Sequence, residues 1–422
     1  MSEKKTIFVI SDHPLAPSGV GTQTKYFIDT LLRTGRYKFV CFGGAVKHPN
    51  YEPQKIEGDA WGPDDWIVYP VDGYGSAELI RSMLWTEKPD VLWFMTDPRF
   101  YSWLWQIENE VRSVVPMVYY HVWDNYPPPK YNKKWYDSND VVVSISKVTH
   151  DIVSKVSPTV ENHYLPHAVD SNIFKKISPE HIEGFKENNF PKHDDRFIFF
   201  WNNRNARRKQ TGTLIHWFNK FAEEVGPNNV CLIMHTDPKD PNGQDIELIL
   251  KDFDIDDGRV LISREKMPSE GLALMYNMSD CTINISDAEG FGLATFESLS
   301  CETPIIVNMT GGLQEQVTDG ENWFGIGIEP SSKSLIGSQV VPYIYEDRIS
   351  EDDFITAMKT IYNMSKEERT AMGKAGAAHV KNNYNFDLFK QRWIDLIDKV
   401  IVERGSWENR KGYKAWALKE IT

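Results

Sequence analysis

Short apolar runs alternate with stretches of helical periodicity along this chain, and the alternation starts twice. The first series opens with Thr6 to Ile10, a helix from about Gly21 to Thr34 and a run from Lys38 to Phe42. It continues through Val91 to Met95, Met117 to His121 and Val141 to Ile145, with a helix from Lys147 to Val156 after the last. Runs that are apolar throughout cannot lie in a sheet with one wet face. They require helices over both faces, which means parallel strands in β-α-β succession. Between His163 and about Asp195 the pattern breaks, with Pro166, Pro179, Pro191 and several charges marking an interdomain linker. It then restarts with a strand Phe197 to Trp201, a helix Gly212 to Val225 and strands Val230 to Met234 and Val260 to Ile262. A helix Pro268 to Met278 and a strand Cys281 to Ile285 complete the second series.

The expected fold is therefore α/β, with two Rossmann-like doubly wound domains facing a cleft at the carboxyl ends of their strands. The expected boundaries are residues 1–175 for the first domain and 176–385 for the second. A tail, residues 386–422, reads as helices with Phe389, Trp393, Leu396, Ile397 and Val400 at helical spacing.

Composition narrows the class. A chain of 422 residues fits two domains, and 41% hydrophobic residues can fill both cores. A net charge of -13 argues against a broad phosphate-binding surface while leaving room for a local basic groove. The four cysteines, Cys41, Cys231, Cys281 and Cys301, are too widely spaced for a zinc ribbon or a disulfide framework, which points to a reducing cytoplasm. The first residues lack the apolar core of a signal peptide, and no apolar run approaches the roughly 18 residues needed to span a bilayer. Fourteen tryptophans exceed what the cores require, and Trp61, Trp66, Trp123, Trp135 and Trp201 are placed in predicted loops, where packing and stacking on a sugar or base compete. No His and carboxylate cluster has metal-ligand spacing, so no metal is expected. The acidic run Asp252, Asp254, Asp256 and Asp257 precedes a strand and reads as a solvated turn.

The stretch from Ser286 to Glu297 carries the most chemistry. A strand leads into the turn Glu289-Gly290-Phe291-Gly292, and Leu293 to Ser300 reads as a helix whose first amides point outward unpaired. Such amides attract phosphate oxygens. Glu289 can accept hydrogen bonds from sugar hydroxyls, and Glu297 can grip a ribose diol through both oxygens. Upstream, Asn202 to Lys209 follows a strand and places Arg204, Arg207, Arg208 and Lys209 at its carboxyl end, as a diphosphate clamp requires.

Glu289 and Glu297, with seven residues between them, resemble the E-x7-E motif of retaining glycosyltransferases with the GT-B fold, in particular family GT4. Gly311-Gly312-Leu313-Gln314-Glu315 resembles that family's G-G-x-x-E segment, and Arg204 with Lys209 its phosphate-binding pair. In the first half the likeness rests on Gly19-Val20-Gly21 after the first strand, His121 at a strand end, Ser144-Ile-Ser146 and Leu165 to Asp170. His167 and Ala168 there replace the family's Asn and Gly.

The resemblance implies a metal-independent, retaining hexosyl- or pentosyltransferase whose donor substrate is a nucleotide diphosphate sugar, with no further cofactor. His121, Arg204, Lys209 and Glu289 would be its catalytic groups. Gly19, Gly21, Gly290, Phe291, Gly292, Leu293, Glu297, Gly311, Gly312 and Glu315 would bind the donor. The acceptor hydroxyl, on a carbohydrate, glycan or lipid-linked sugar, would lie near Asp12, His13, Asp97, Arg99, Trp123 and Asp124. In this family the last helix crosses back to the first domain. Alternatives are a glycosyltransferase acting on hydroxylated bases of DNA, a nucleotide-sugar epimerase, and a non-catalytic sugar-nucleotide binder.

Overall fold

The computed structural model describes residues 3–190, 195–255 and 257–416. Pro191 of the expected linker, Asp256 of the acidic run and the tail beyond Trp416 lie outside them. The chain divides into two compact units.

The first unit comprises residues up to His167, Ser338–Pro342 and the stretch from Asp387 onward. Its strands are β1 (Lys5–Asp12), β2 (Tyr37–Gly44), β3 (Gln54–Lys55), β4 (Trp66–Pro70), β5 (Val91–Thr96), β6 (Met117–His121), β7 (Val141–Ser144) and β8 (Glu161–Tyr164). They form one sheet in the order β3-β4-β2-β1-β5-β6-β7-β8. All neighbours run parallel except β3 against β4. Ile7, in the central strand, faces Phe39 on one side and Val91 on the other, and β1 is buried beyond its first residue. Helix Gly19–Leu32 returns the chain from β1 to β2, and the Ser18 hydroxyl caps it by accepting from the Gly21 amide at 3.0 Å.

The final helix, Phe386–Arg404, packs on this same unit. It buries the Phe389, Trp393, Leu396, Ile397 and Val400 stripe, and Trp393 lies edge-on to Phe27 and Tyr120 at 4.8 and 4.9 Å. Phe27 in turn stacks on Trp93 at 4.4 Å. Ionic contacts hold the helix's flank, from Arg36 to Asp398 at 2.8 Å and from Lys399 and Arg404 to Glu161 at 2.8 and 2.6 Å.

The second unit carries β9 (Phe197–Asn202), β10 (Val230–His235), β11 (Val260–Ser263), β12 (Cys281–Asn284), β13 (Ile305–Asn308) and β14 (Gly325–Ile328), parallel in the order β11-β10-β9-β12-β13-β14. A separate antiparallel hairpin pairs β15 (Ser332–Ile336) with β16 (Ile344–Arg348). Phe199, Trp201, Phe218 and Phe221 fill the core between sheet and helix Thr211–Val225. All four cysteines are buried and free.

Three details differ from the sequence reading. Trp66 opens β4 and is buried instead of lying in a loop, because its run alternates buried and half-buried positions too briefly to announce a strand. Trp135 sits in the short helix Lys133–Asp137, stacked on Trp105 at 5.5 Å. The expected linker contains helix Pro179–Asn189, which belongs to the second unit and is preceded by Ile177 donating to Asn277 at 2.9 Å.

Trp393→Ala removes the aromatic that joins the final helix to Phe27 and Tyr120. The expected cost is about 3–5 kcal/mol to the first unit. Urea unfolding followed by tryptophan fluorescence would show its transition moving to lower denaturant, and a change under about 1 kcal/mol would contradict this packing.

Candidate active site

In an open parallel sheet, loops diverge where the strand order reverses, and ligands settle in the gap. In the second unit that point lies between β9 and β12. The loop after β9 ends in the turn Arg207–Lys209, and Gln210 follows in the left-handed region at φ 57°. The loop after β12 runs through Ser286 to Gly292 and opens helix Leu293–Ser300, whose cap Gly292 has φ 93° and supplies no side-chain hydrogen bond to the first amides.

The two loops meet in an ion pair. Lys209 donates to a buried Glu289 carboxylate oxygen, and Arg208 lies 3.5 Å from the same oxygen while donating to the Ala288 carbonyl at 2.6 Å. Burial pushes the Glu289 carboxyl up, but the Lys209 ammonium and the Arg208 guanidinium more than reverse this and hold it at about 2. The site thus keeps a charged carboxylate beside two cations.

The loop after β13 closes the third side. The Gly312 amide donates to the Glu289 carbonyl at 3.0 Å. A side chain at Gly312 would meet the Phe291 Cα at 2.6 Å, so only glycine allows this approach. Gln316 donates to the Phe291 carbonyl at 2.6 Å and fixes the turn from behind. The Tyr384 hydroxyl lies 3.3 Å from the Glu315 carboxylate, and His379 lies 2.9 Å from the Glu315 carbonyl.

Glu297 accepts from the Tyr276 hydroxyl at 2.7 Å, and Asn202 donates to that hydroxyl at 2.8 Å. Burial raises its carboxyl to about 7, against the lowering effect of Tyr276. Arg204 is held apart from the Lys209 pair. Its exposed guanidinium grips Asp240 with two bonds of 2.6 and 3.2 Å, which brings the Asp240 carboxyl down to about 2. Among the described residues, no group of three or more His, Cys, Asp or Glu side chains is placed to hold a metal ion.

Residues 183–378 match the family model described as glycosyl transferases group 1. The matched stretch takes in most of the second unit. Among curated relatives, the N-acetyl-alpha-D-glucosaminyl L-malate synthase of Bacillus anthracis is 23% identical over 237 residues. That stretch is 55% of this chain and 58% of that enzyme, so the chain matches just over half of its relative's length. Among solved structures, the sucrose-phosphate synthase of Thermosynechococcus elongatus aligns with a TM-score of 0.73 at 18% identity, over 94% of this chain and all of that one. HepE of Anabaena, solved in complex with UDP-glucose, aligns with a TM-score of 0.67 at 15% identity, over 94% of this chain and 100% of its own. At such identities the likeness speaks for the fold alone, which is GT-B.

In the first unit the strand order reverses between β1 and β5. Asp12, at the end of β1, accepts from Ser18 at 2.7 Å and Tyr74 at 2.8 Å. Gly21 packs where a side chain would meet the Ala16 carbonyl at 2.7 Å, and Gly19 is the first residue of the same helix. His13 accepts from the Leu15 amide at 3.2 Å, lies 3.3 Å from the Gln54 side-chain oxygen, and is held below its usual pKa by burial. After β5, Asp97 caps the next turn and pairs with Arg99 through two 2.8 Å bonds. His121, at the end of β6, is fully buried and 3.0 Å from the Tyr136 hydroxyl. Burial lowers its pKa to about 3 and keeps the ring neutral. Trp123 is buried and donates to the Asn125 carbonyl at 2.9 Å. No helix among the described residues is long and apolar enough to cross a membrane.

Several residues that build the site escaped the sequence reading. Gln210 and Asp287 bond across the two loops, the Asp287 amide donates to the Arg208 carbonyl at 2.8 Å, and Arg207 binds Glu346 on β16. Asp287 lies inside the motif stretch, but its partner Gln210 is 77 positions away. Glu346 and Arg207 are separated by 139 positions, with no spacing signal to connect them.

Because the folded protein favours the protonated Glu297, it binds more protons than the unfolded chain between about pH 4.5 and about 7. This carboxyl therefore lowers stability progressively as pH rises through that window, and the penalty persists above it. Glu297→Gln should raise stability at pH 8 by about 1–2 kcal/mol, allowing for the side chain's partial access to solvent, and have little effect at pH 4. Thermal melts at both pH values check this, and an equal shift at both would contradict it.

Proposed function

We propose that this chain moves a hexosyl or pentosyl group from a nucleotide diphosphate sugar to an acceptor hydroxyl, with retention of configuration and without a metal. The observation that supports this best is the Lys209–Glu289 pair at the switch point, beside a helix N-terminus without a side-chain cap. The relatives' names favour transfer over epimerisation or simple binding, since they are synthases and transferases, and HepE was solved with UDP-glucose.

As the bond from the anomeric carbon to the β-phosphate oxygen breaks, both electrons go to that oxygen. Lys209 and Arg208 supply positive charge there, and the amides after Gly292 supply partial charge, so the stabilisation grows as the leaving group's charge grows. Fixed cations can serve in place of a metal. Arg204 joins the clamp by exchanging Asp240 for a phosphate oxygen. Glu289, kept ionised, accepts hydrogen bonds from the sugar, and Glu297 with Tyr276 receives the ribose diol. The acceptor oxygen forms the new bond on the face the diphosphate leaves, and its proton passes to the departing phosphate oxygen. Retention rests on the family resemblance. The neutral His121 orients the sugar, while Asp12, His13, Asp97, Arg99, Trp123 and Asp124 serve the acceptor, for which a carbohydrate, glycan or lipid-linked sugar is the proposed class.

Lys209→Ala and Arg204→Ala are each expected to lower turnover about 100-fold, the scale for removing one electrostatic group from a transition state. Steady-state rates with the best donor from a panel of UDP, GDP and ADP sugars provide the measurement. Near wild-type turnover in both variants would remove the clamp. Activity should also survive excess EDTA, and strict restoration by manganese would contradict the metal-free mechanism.

A further inference from the structure

The hairpin β15–β16 belongs to neither parallel sheet, yet its second strand buries two adjacent carboxylates, Glu346 and Asp347. Successive strand residues point to opposite faces, so β16 reaches in two directions. On one face Glu346 binds Arg207, in the loop after β9, with Arg348 at 2.7 Å as its second cation. On the other, Asp347 contacts both remaining loops. Its amide donates to the Asp287 carbonyl at 2.8 Å, and Asn308 donates to its carbonyl at 2.6 Å and to the Ser286 carbonyl at 2.9 Å. Its carboxylate accepts from the Thr310 hydroxyl at 2.9 Å.

These contacts sit next to the donor groups in sequence. Asp287 is two residues before Glu289, and Thr310 directly precedes Gly311-Gly312. The two loops touch at Gly312, where even a methyl group would collide with the Phe291 backbone, so their spacing has little tolerance. A buried carboxylate is costly to desolvate and holds its geometry only through such bonds.

We propose that β16 is a strut that sets the spacing of the donor loops, with Asp347 as a positioning residue that acts through Asp287 and Thr310. This rests on the donor-site reading above and adds a determinant of donor affinity outside the loops themselves. Thr310→Val and Asp347→Ala, singly and together, test it by calorimetric titration with UDP-, GDP- and ADP-glucose and by separate kcat and KM measurements. The expected result is that each single variant weakens donor binding about tenfold and raises KM to match, with kcat at saturating donor within about twofold of wild type. The double variant should lose no more than the worse single one, because both remove the same bond. Unchanged donor affinity in Thr310→Val would overturn the proposal, and this milder variant decides the matter if Asp347→Ala does not fold. Additive losses would likewise overturn it. If the wild type binds none of the three sugars, the donor-site reading itself falls, an outcome distinct from equal binding by wild type and variants.

Discussion

A buried lysine and a buried glutamate, 80 positions apart, join the loops after β9 and β12. Separately, each charge would be expensive to remove from water. Together they offset that cost, and Arg208 adds a second cation that keeps Glu289 ionised. Neither loop could hold its charged group in place alone. Losing one partner would leave the other charged and buried without compensation, so the pair constrains where the backbone of both loops can run. The placement of the helix Leu293–Ser300, and of Gly312 against the turn, follows from that constraint.

The sheet supplies the frame within which the pair can form. Parallel strands deliver their following loops to one edge, and the reversal of strand order between β9 and β12 separates the flanking connections enough to admit a ligand. The first unit repeats this arrangement between β1 and β5, where Asp12 and Asp97 emerge. There the charges are settled locally, by Ser18, Tyr74 and Arg99. The unit's aromatic cluster around Trp93, Phe27 and Trp393 lies on the helix side and uses the chain's final helix to complete it.

What was legible in the sequence was what repeats or lies close together. Buried strands such as β1, apolar at every position from Ile7 to Ile10, stand out because burial on both faces leaves no polar alternation. β8, with the sequence Glu-Asn-His-Tyr, is a half-exposed edge strand and carries no such signal. The turn Glu289 to Gly292 and its helix were legible because glycine geometry and helix capping are local. The partners of the cations were not. Arg204 with Asp240, Arg207 with Glu346 and Lys209 with Glu289 are long-range pairs, and many carboxylates could have filled each role. The burial of His121 was likewise out of reach, since Tyr136 arrives from a short helix after a Pro-rich loop.

The pairing of those cations also bears on how an acidic protein presents a positive loop. Arg204, Arg207, Arg208 and Lys209 fall within six residues, and like charges so close repel one another and favour a disordered loop. Each of three is given its own carboxylate, which removes much of that repulsion and fixes the side chain's direction before any ligand arrives. On the proposed function, a diphosphate entering the site meets cations already oriented, so little of its binding energy goes into ordering them. It must also compete with those carboxylates. A weak monoanion has little to gain from that exchange, whereas a diphosphate can bridge two cations at once. On that reading, pre-pairing favours ligands with two adjacent phosphates over single anions.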